Sequence, residues 1–178
     1  YPFHSISILT SHPQWLVKRF VHQMGANEAF KFCSKNNETP GVSVRVQSQL
    51  AQKFEDYLKS NNLDYQKSGI PNYFHLERFA DGIKKEWLNN GSISVQDESA
   101  GLVGYLVDPQ PDELICDVCA APGGKSLHIA ELSKEKSTIL SGDVNFGRVK
   151  LIRNDVKRTN KKTIYLTAAD AANFPVRQ

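Results

Sequence analysis

At 178 residues, with 40% hydrophobic and 23% charged residues, the chain has the composition of a globular protein long enough for one domain and part of another. This composition excludes a disordered chain, and no apolar run of about 18 residues predicts a membrane span. No signal peptide is recognisable and three cysteines make no disulfide framework, so we expect a cytoplasmic protein. The net charge of +3 is mildly basic, and its excess lies in residues 1–91, which is compatible with RNA contact.

The first half of the chain, residues 1–91, predicts a small α+β domain. Ser11 and Gln14 have capping-box spacing, which predicts a helix start. Alternating valines over residues 42–46 predict a half-buried strand. In chain order, the pattern predicts helices from residue 11 and over 27–34, a strand over 42–46, a helix over 50–58, a strand over 73–76 and a helix over 81–88.

The second half, residues 92–178, predicts the first half of a doubly wound parallel sheet. Asn-Asn-Gly-Ser at residues 89–92 marks the joint between the two halves. Beyond it, a helix over residues 97–107 is followed by strand, helix, strand, helix and a strand ending near Thr167. The predicted fold class is therefore α/β, with an α+β domain in front.

Residues 117–126, DVCAAPGGKS, carry the most specific signal, because an apolar strand there meets a helix through a glycine turn. Without Cβ atoms, Gly123 and Gly124 let a ligand lie against the backbone, near the free N–H groups of the helix start. A Walker A loop is unlike this turn, since Cys119 stands where its first glycine is required. Asp143 closes the next strand about 20 residues later, where a ribose-binding carboxylate is expected. An adenosine-type cofactor such as S-adenosylmethionine is favoured over a purely structural glycine turn.

These motifs resemble the Nop2/Sun (Fmu) family of RNA cytosine-5 methyltransferases, and especially its bacterial ribosomal-RNA members. The string CAAPGGK at residues 119–125 resembles the first cofactor motif of the family. VQDESA at residues 95–100 resembles the motif that precedes it, and the opening SHPQWLV at residues 11–17 is similar to a Ser-x-Pro-x-Trp-Leu segment of the bacterial members. The other matching residues are Asp143, Arg148 and Asn154 in a second motif and Asp170 in a third.

The resemblance implies a Rossmann-like S-adenosylmethionine methyltransferase domain behind a ferredoxin-like, RNA-binding domain. The resemblance also implies that the full-length enzyme methylates cytosine C5 in 16S ribosomal RNA. A cysteine thiolate adds to C6 of an unstacked cytosine, C5 accepts the methyl group, and a base then removes the C5 proton as the cysteine is expelled. The implied cofactor-binding residues are Cys119, Ala120, Ala121, Pro122, Gly123, Gly124, Lys125, Asp143, Arg148 and Asp170.

The family's catalytic cysteines are expected beyond Gln178, so the chain is predicted to be an inactive fragment of a longer enzyme. Cys116 and Cys119 have C-x-x-C spacing, but without a second ligand pair they predict no metal site. We expect an RNA partner, no membrane association and a monomer. Two alternatives are a Rossmann-like methyltransferase acting on a protein or small molecule, and a non-catalytic RNA-binding protein.

Overall fold

In a computed structural model that describes residues 2–176, the chain divides into two compact units, Tyr1–Pro40 and Gly41–Gln178. The first unit is helical, and its core is formed by Ile6, Val17 and Cys33. Its rings Phe20 and Phe32 meet edge to face, with their centroids 4.9 Å apart. The helices are α1 (Pro2–Thr10), α2 (Gln14–Met24) and α3 (Ala26–Asn36).

The helix start predicted at Ser11 is wrong. Ser11 has a φ of 54°, and Pro13 occupies the N-cap position of α2 without any side-chain cap. A proline disfavours the helical conformation in the residue before it, so α2 begins only at Gln14. The predicted helix over residues 27–34 is confirmed as α3, whereas the sequence pattern did not predict α1.

The second unit opens with a four-stranded antiparallel sheet in the strand order β2-β3-β1-β4. The βαββαβ sequence of elements and this strand order define a ferredoxin-like fold, as the resemblance implied. Strand β4 of this sheet lies just after residue 91, where the sequence predicts the boundary between the two domains. That boundary stays a prediction. The elements are β1 (Val42–Val46), α4 (Ala51–Ser60), β2 (Tyr65–Lys67), β3 (Tyr73–Leu76), α5 (Asp81–Ile83, continued by a π-helical segment, Lys84–Leu88) and β4 (Ile93–Val95).

An aromatic cluster fills the space between this sheet and its helices. Phe54 on α4 is fully buried, and its ring centroid lies 4.8 Å from that of Trp87 and 5.4 Å from that of Phe74. Val44 and Val46 on β1 pack into the same cluster. The valines that alternate along β1 therefore face this core, as their spacing predicted.

A three-stranded parallel sheet follows, in the order β5-β6-β7, with helices between the strands. The predicted Rossmann-like half-sheet is confirmed, and Val118 lies in the turn that follows β5. Asp97 caps α6 by accepting a hydrogen bond from Ser99 N at 2.8 Å. The elements are α6 (Glu98–Val107), β5 (Leu114–Asp117), α7 (Gly124–Leu132), β6 (Thr138–Asp143), α8 (Phe146–Arg158) and β7 (Ile164–Ala168).

The two faces of the parallel sheet are covered unequally. On one face, Ile139 and Ile164 pack against Ile129 of α7. On the other face, Leu114 is 63% exposed and Tyr165 is 58% exposed. Across residues 2–176, no helix combines the length and the apolar character that a membrane crossing requires.

Candidate cofactor site

The glycine turn lies at the carboxyl edge of the parallel sheet and is tied to two of its strands. Ala120 N donates to Gly142 O at 2.8 Å, which holds the turn against the end of β6. Ser126 Oγ donates to Asp117 Oδ2 at 2.7 Å and accepts from Ser141 Oγ at 2.8 Å. This chain of hydrogen bonds joins β5, α7 and β6, so the turn has a fixed position.

Gly123 is a position in the turn where only glycine fits. Its φ of 116° is in the region that side chains rarely adopt, and a Cβ there would lie 3.1 Å from Ile152 Cγ2 on α8. Gly123 is also the N-cap of α7, and among residues 2–176 no side chain caps this helix. The first N–H groups of α7 are therefore left for a ligand or solvent.

The residues of the turn divide into those that face the core and those that face outwards. Ala120 and Ala121 are buried against Ile152, so their contribution to a ligand site is their backbone. Cys119, Pro122 and Lys125 are exposed. The side chains able to reach a ligand are thus the thiol and the ammonium group at either end of the turn.

Asp143 ends β6 with its carboxylate buried, at 3% exposure. Its Oδ1 accepts from Asn145 N at 3.0 Å, and its Oδ2 is 3.2 Å from Nη1 of Arg148. Arg148 also donates through Nη2 to Ala121 O at 2.9 Å. Arg148 therefore connects the predicted ribose-binding carboxylate with the glycine turn, and these predicted residues lie together.

Asp170 lies apart from that group. Its carboxylate is exposed and accepts from Ala172 N at 2.9 Å, as the N-cap of a short 3-10 helix, Ala171–Asn173. The preceding residue, Ala169, donates its N–H to Asp143 O at 3.3 Å. Asp170 thus stands at the end of the neighbouring strand on the same sheet edge, without bonding to the other predicted side chains.

A buried polar network beside the turn was missed by sequence reasoning. Arg45 of β1, which is 4% exposed, donates through Nε to Gln96 Oε1 at 2.8 Å and forms an ion pair with Glu131 of α7. Tyr73 of β3 donates its hydroxyl to the same Gln96 oxygen at 2.9 Å. The network links the antiparallel sheet to the helix that follows the glycine turn. The placement of Gln96 just before the Asp97 cap was the one sequence signal for it.

His128 on α7 lies next to this network. Burial, with a further contribution from the nearby Arg45 charge, lowers the pKa of His128 to about 3, so the ring is neutral. Its ring centroid is 5.1 Å from that of Tyr105 on α6. Helix α6 packs closely against His128 and Tyr73 through two glycines. A Cβ on Gly104 would lie 2.6 Å from His128 Nδ1, and one on Gly101 would overlap the Tyr73 hydroxyl.

The three cysteines do not form a common site. Cys33 is buried in the helical unit, while Cys116 and Cys119 are exposed, and all three are free thiols. Between residues 2 and 176, no group of three or more His, Cys, Asp or Glu side chains is arranged to hold a metal ion.

Comparison with known proteins matches this architecture. The family model for the 16S rRNA methyltransferase RsmB/F matches residues 104–177, and that for the ferredoxin-like domain of the RsmF/B-like methyltransferases matches residues 12–73. A Bacillus subtilis protein named "Probable ribosomal RNA small subunit methyltransferase B" is 34% identical over 180 residues, which cover 96% of this chain and 38% of that protein. The chain thus spans about 38% of the length of this curated relative.

Two solved structures share the fold. The crystal structure of the protein PH0851 is 28% identical and superposes with a TM-score of 0.86, covering 97% of this chain and 40% of that one. NSun6 from Pyrococcus horikoshii, crystallised with SFG, is 17% identical with a TM-score of 0.78, covering 89% of this chain and 66% of that one. The second likeness concerns the fold alone.

A ferredoxin-like sheet followed by a parallel sheet with a glycine turn at its carboxyl edge defines a Rossmann-like methyltransferase domain with an N-terminal ferredoxin-like domain. Within that class, residues 12–73 and 104–177 match models of the RsmF/B-like and RsmB/F methyltransferases, and the predicted family resemblance is confirmed.

Proposed function

We propose that this chain is the cofactor-binding and RNA-docking part of an S-adenosylmethionine-dependent methyltransferase that modifies cytosine C5 in 16S ribosomal RNA. The observation that carries the proposal is the uncapped, glycine-lined start of α7 beside the buried carboxylate of Asp143. The names of the relatives support a ribosomal-RNA substrate. The choice of C5 rests on the motifs at residues 95–100 and 119–125.

The residues present suit S-adenosylmethionine, which supplies an electrophilic methyl group when bound. The N–H groups at the start of α7 suit the carboxylate of its methionine end. The Asp143 oxygens suit the two ribose hydroxyls, and Arg148 holds that carboxylate beside the turn. We assign Asp170 to the adenine end. The crystallisation of NSun6 with SFG, an analogue of S-adenosylmethionine, supports a cofactor of this type.

The ferredoxin-like domain is proposed to dock the RNA, with its boundary to the methyltransferase domain near residue 91. The excess of basic residues in that half is consistent with this role, since residues 1–91 contain 11 Lys/Arg and 8 Asp/Glu. We further propose that the protein acts as a monomer in the cytoplasm.

Calorimetry of S-adenosylhomocysteine binding to an Asp143→Ala variant tests the cofactor assignment. Losing hydrogen bonds to a charged acceptor costs about 1.5–3 kcal/mol, so the affinity should fall roughly ten- to a hundredfold. Asp56→Ala is a matched control, because Asp56 is exposed on α4, far along the chain from the turn. An affinity unchanged by Asp143→Ala would remove this residue from the site.

We also propose that this chain alone does not transfer a methyl group to RNA. Addition at C6 requires a thiolate at the cytosine, and the resemblance assigns that role to none of Cys33, Cys116 and Cys119. Incubation with S-adenosylmethionine carrying a labelled methyl group and unmodified ribosomal RNA should give no incorporation above background. Incorporation that is lost in a Cys119→Ser variant would contradict both the mechanism and this assignment.

A further inference from the structure

Gln96 occupies a position where the two sheets and the cofactor turn meet. It lies between the end of β4 and the Asp97 cap of α6, and it is 6% exposed. Its backbone N–H donates to Ser43 O on β1 at 3.1 Å, which ties the residue to the antiparallel sheet. Its side chain runs towards the start of α7, where a Cβ on Gly124 would lie 3.5 Å from Nε2.

Two donors fix the orientation of the Gln96 amide. Arg45 Nε and the Tyr73 hydroxyl both donate to Oε1, at 2.8 and 2.9 Å. A guanidinium group has no acceptor, so the amide oxygen must be the atom that faces Arg45. The NH2 group is therefore turned away from the antiparallel sheet and towards Gly124.

That NH2 group lacks a hydrogen-bond partner in the part of the chain that the structure describes. Gln96 Nε2 is buried and donates to no neighbour there, although buried donors are almost always paired. The unpaired donor lies beside the uncapped start of α7, whose own N–H groups favour an anion. Gly124 has no side chain to fill the space between them. Two independent features thus select the same ligand chemistry, an anionic oxygen.

We propose that Gln96 Nε2 binds the carboxylate of the cofactor's methionine end, with Arg45 and Tyr73 as positioning residues that hold the amide in its orientation. The inference rests on the proposed function, because it takes the turn to be a cofactor site. It adds that residues of the antiparallel sheet contribute to cofactor affinity. The ferredoxin-like fold is then part of the cofactor site as well as a docking domain.

The test compares two ligands that differ in the group at issue. S-adenosylhomocysteine carries the amino-acid carboxylate, whereas 5′-methylthioadenosine keeps the adenosine and the sulfur but lacks it. Gln96→Glu retains an oxygen acceptor for Arg45 and Tyr73 and removes the donor. Calorimetry should show the affinity of the variant for S-adenosylhomocysteine falling by about tenfold or more, with methylthioadenosine affinity changed less than about twofold.

The positioning residues give a smaller effect with the same ligand selectivity. Tyr73→Phe removes one of the two donors to Oε1, and it should weaken S-adenosylhomocysteine binding by about two- to fivefold while sparing methylthioadenosine. Tyr105→Phe is the matched control, because the Tyr105 hydroxyl donates to Pro71 O at 3.3 Å instead. Gln66→Glu on the exposed side of β2 repeats the Gln96 change away from the site.

A measurement on the unsubstituted chain keeps the test independent of variant folding. In a spectrum of 15N-labelled protein, the side-chain NH2 signal of Gln96 should shift on addition of S-adenosylhomocysteine and stay in place with methylthioadenosine. An equal shift with both ligands, no shift with either, or an equal affinity loss for both in Gln96→Glu would overturn the inference. If the unsubstituted chain binds neither ligand, the proposed cofactor site itself is wrong.

Discussion

The two sheets of residues 41–176 differ in how they are covered. The antiparallel sheet is packed on both faces, by the aromatic cluster around Phe54 on one side and by α7, through Arg45, on the other. The parallel sheet is packed by α7 and α8 on one face, while Leu114 and Tyr165 on the other are 63% and 58% exposed. Burial drives stability, so the first sheet should carry most of it, while the second carries the candidate site at its carboxyl edge.

The largest expected effect contrasts one ring from each region. Phe54→Ala should lower the free energy of unfolding by about 3–5 kcal/mol, because it opens a cavity in a fully buried cluster. Tyr165→Ala should cost less than about 1 kcal/mol, since more than half of the side chain already contacts solvent. Urea denaturation followed by circular dichroism measures both. Equal losses would contradict the contrast between the sheets.

The next effect separates the two glycines of the turn. Gly123→Ala should destabilise the chain by roughly 2–3 kcal/mol, because its φ of 116° and the neighbouring Ile152 both oppose a Cβ. Gly124→Ala should stay within roughly 0.5 kcal/mol of the unsubstituted chain, since its Cβ would make only ordinary contacts with Gln96. Thermal unfolding of the pair measures the difference, and equal melting temperatures would show that the turn has more freedom than its geometry indicates.

His128 gives the region between the sheets a pH dependence. Its pKa is lowered to about 3 from an ordinary value of 6.5, so below pH 6.5 the unfolded chain takes up a proton that the folded chain refuses. The His128 contribution to stability is complete above pH 6.5 and is lost as the pH falls towards 3. By pH 5 the loss should be roughly 1–2 kcal/mol. His128→Gln should flatten this slope of unfolding free energy against pH, as urea denaturation across this pH range measures.

The smallest effect lies at Glu55 of α4, beside the edge strand β2. Hydrogen bonds from Lys67, Lys59 and Tyr65 lower the pKa of Glu55 to about 2 from an ordinary value of 4.5. The stability that Glu55 contributes is therefore present above pH 4.5 and is lost as the pH falls through 2. Glu55→Gln should remove that acid-range slope and lower the free energy of unfolding at neutral pH, so that variant and parent converge as the pH falls towards 2. Denaturation curves between pH 4.5 and 2 should differ between variant and parent, and identical curves would contradict the assignment.

How much the sequence predicted follows from the range of the interactions involved. Strands β1 and β3 were predicted because alternation and apolar runs are local signals. Strands β2 and β4 were missed, since each has three residues, too few to display a period. In the site, the glycine turn was predicted because it forms one short motif. Asp143 was predicted because it lies directly at the end of a strand.

Arg45 shows why the rest of the site could not be predicted. Its alternation with Val44 and Val46 indicated a solvent-facing position, the usual outcome for a strand with one covered face. Helix α7 covers that second face instead, so Arg45 is 4% exposed and bonds to Gln96, a residue 51 positions away in the chain. That contact exists only once β1 has paired with β4, and the ion pair between Arg45 and Glu131, 86 residues away, exists only once α7 has packed on this sheet.

Gly101 and Gly104 on α6 have an evolutionary consequence. The Tyr73 hydroxyl and the His128 ring occupy the space that side chains at these two positions would take. A larger residue at either position therefore requires a smaller partner, and at position 73 that partner must lack the ring, because Tyr73 Cζ would lie 2.4 Å from a Cβ on Gly101. Across the sequences of relatives, positions 101 and 73 should co-vary as a pair, as should positions 104 and 128, and lineages that change one member alone should be rare.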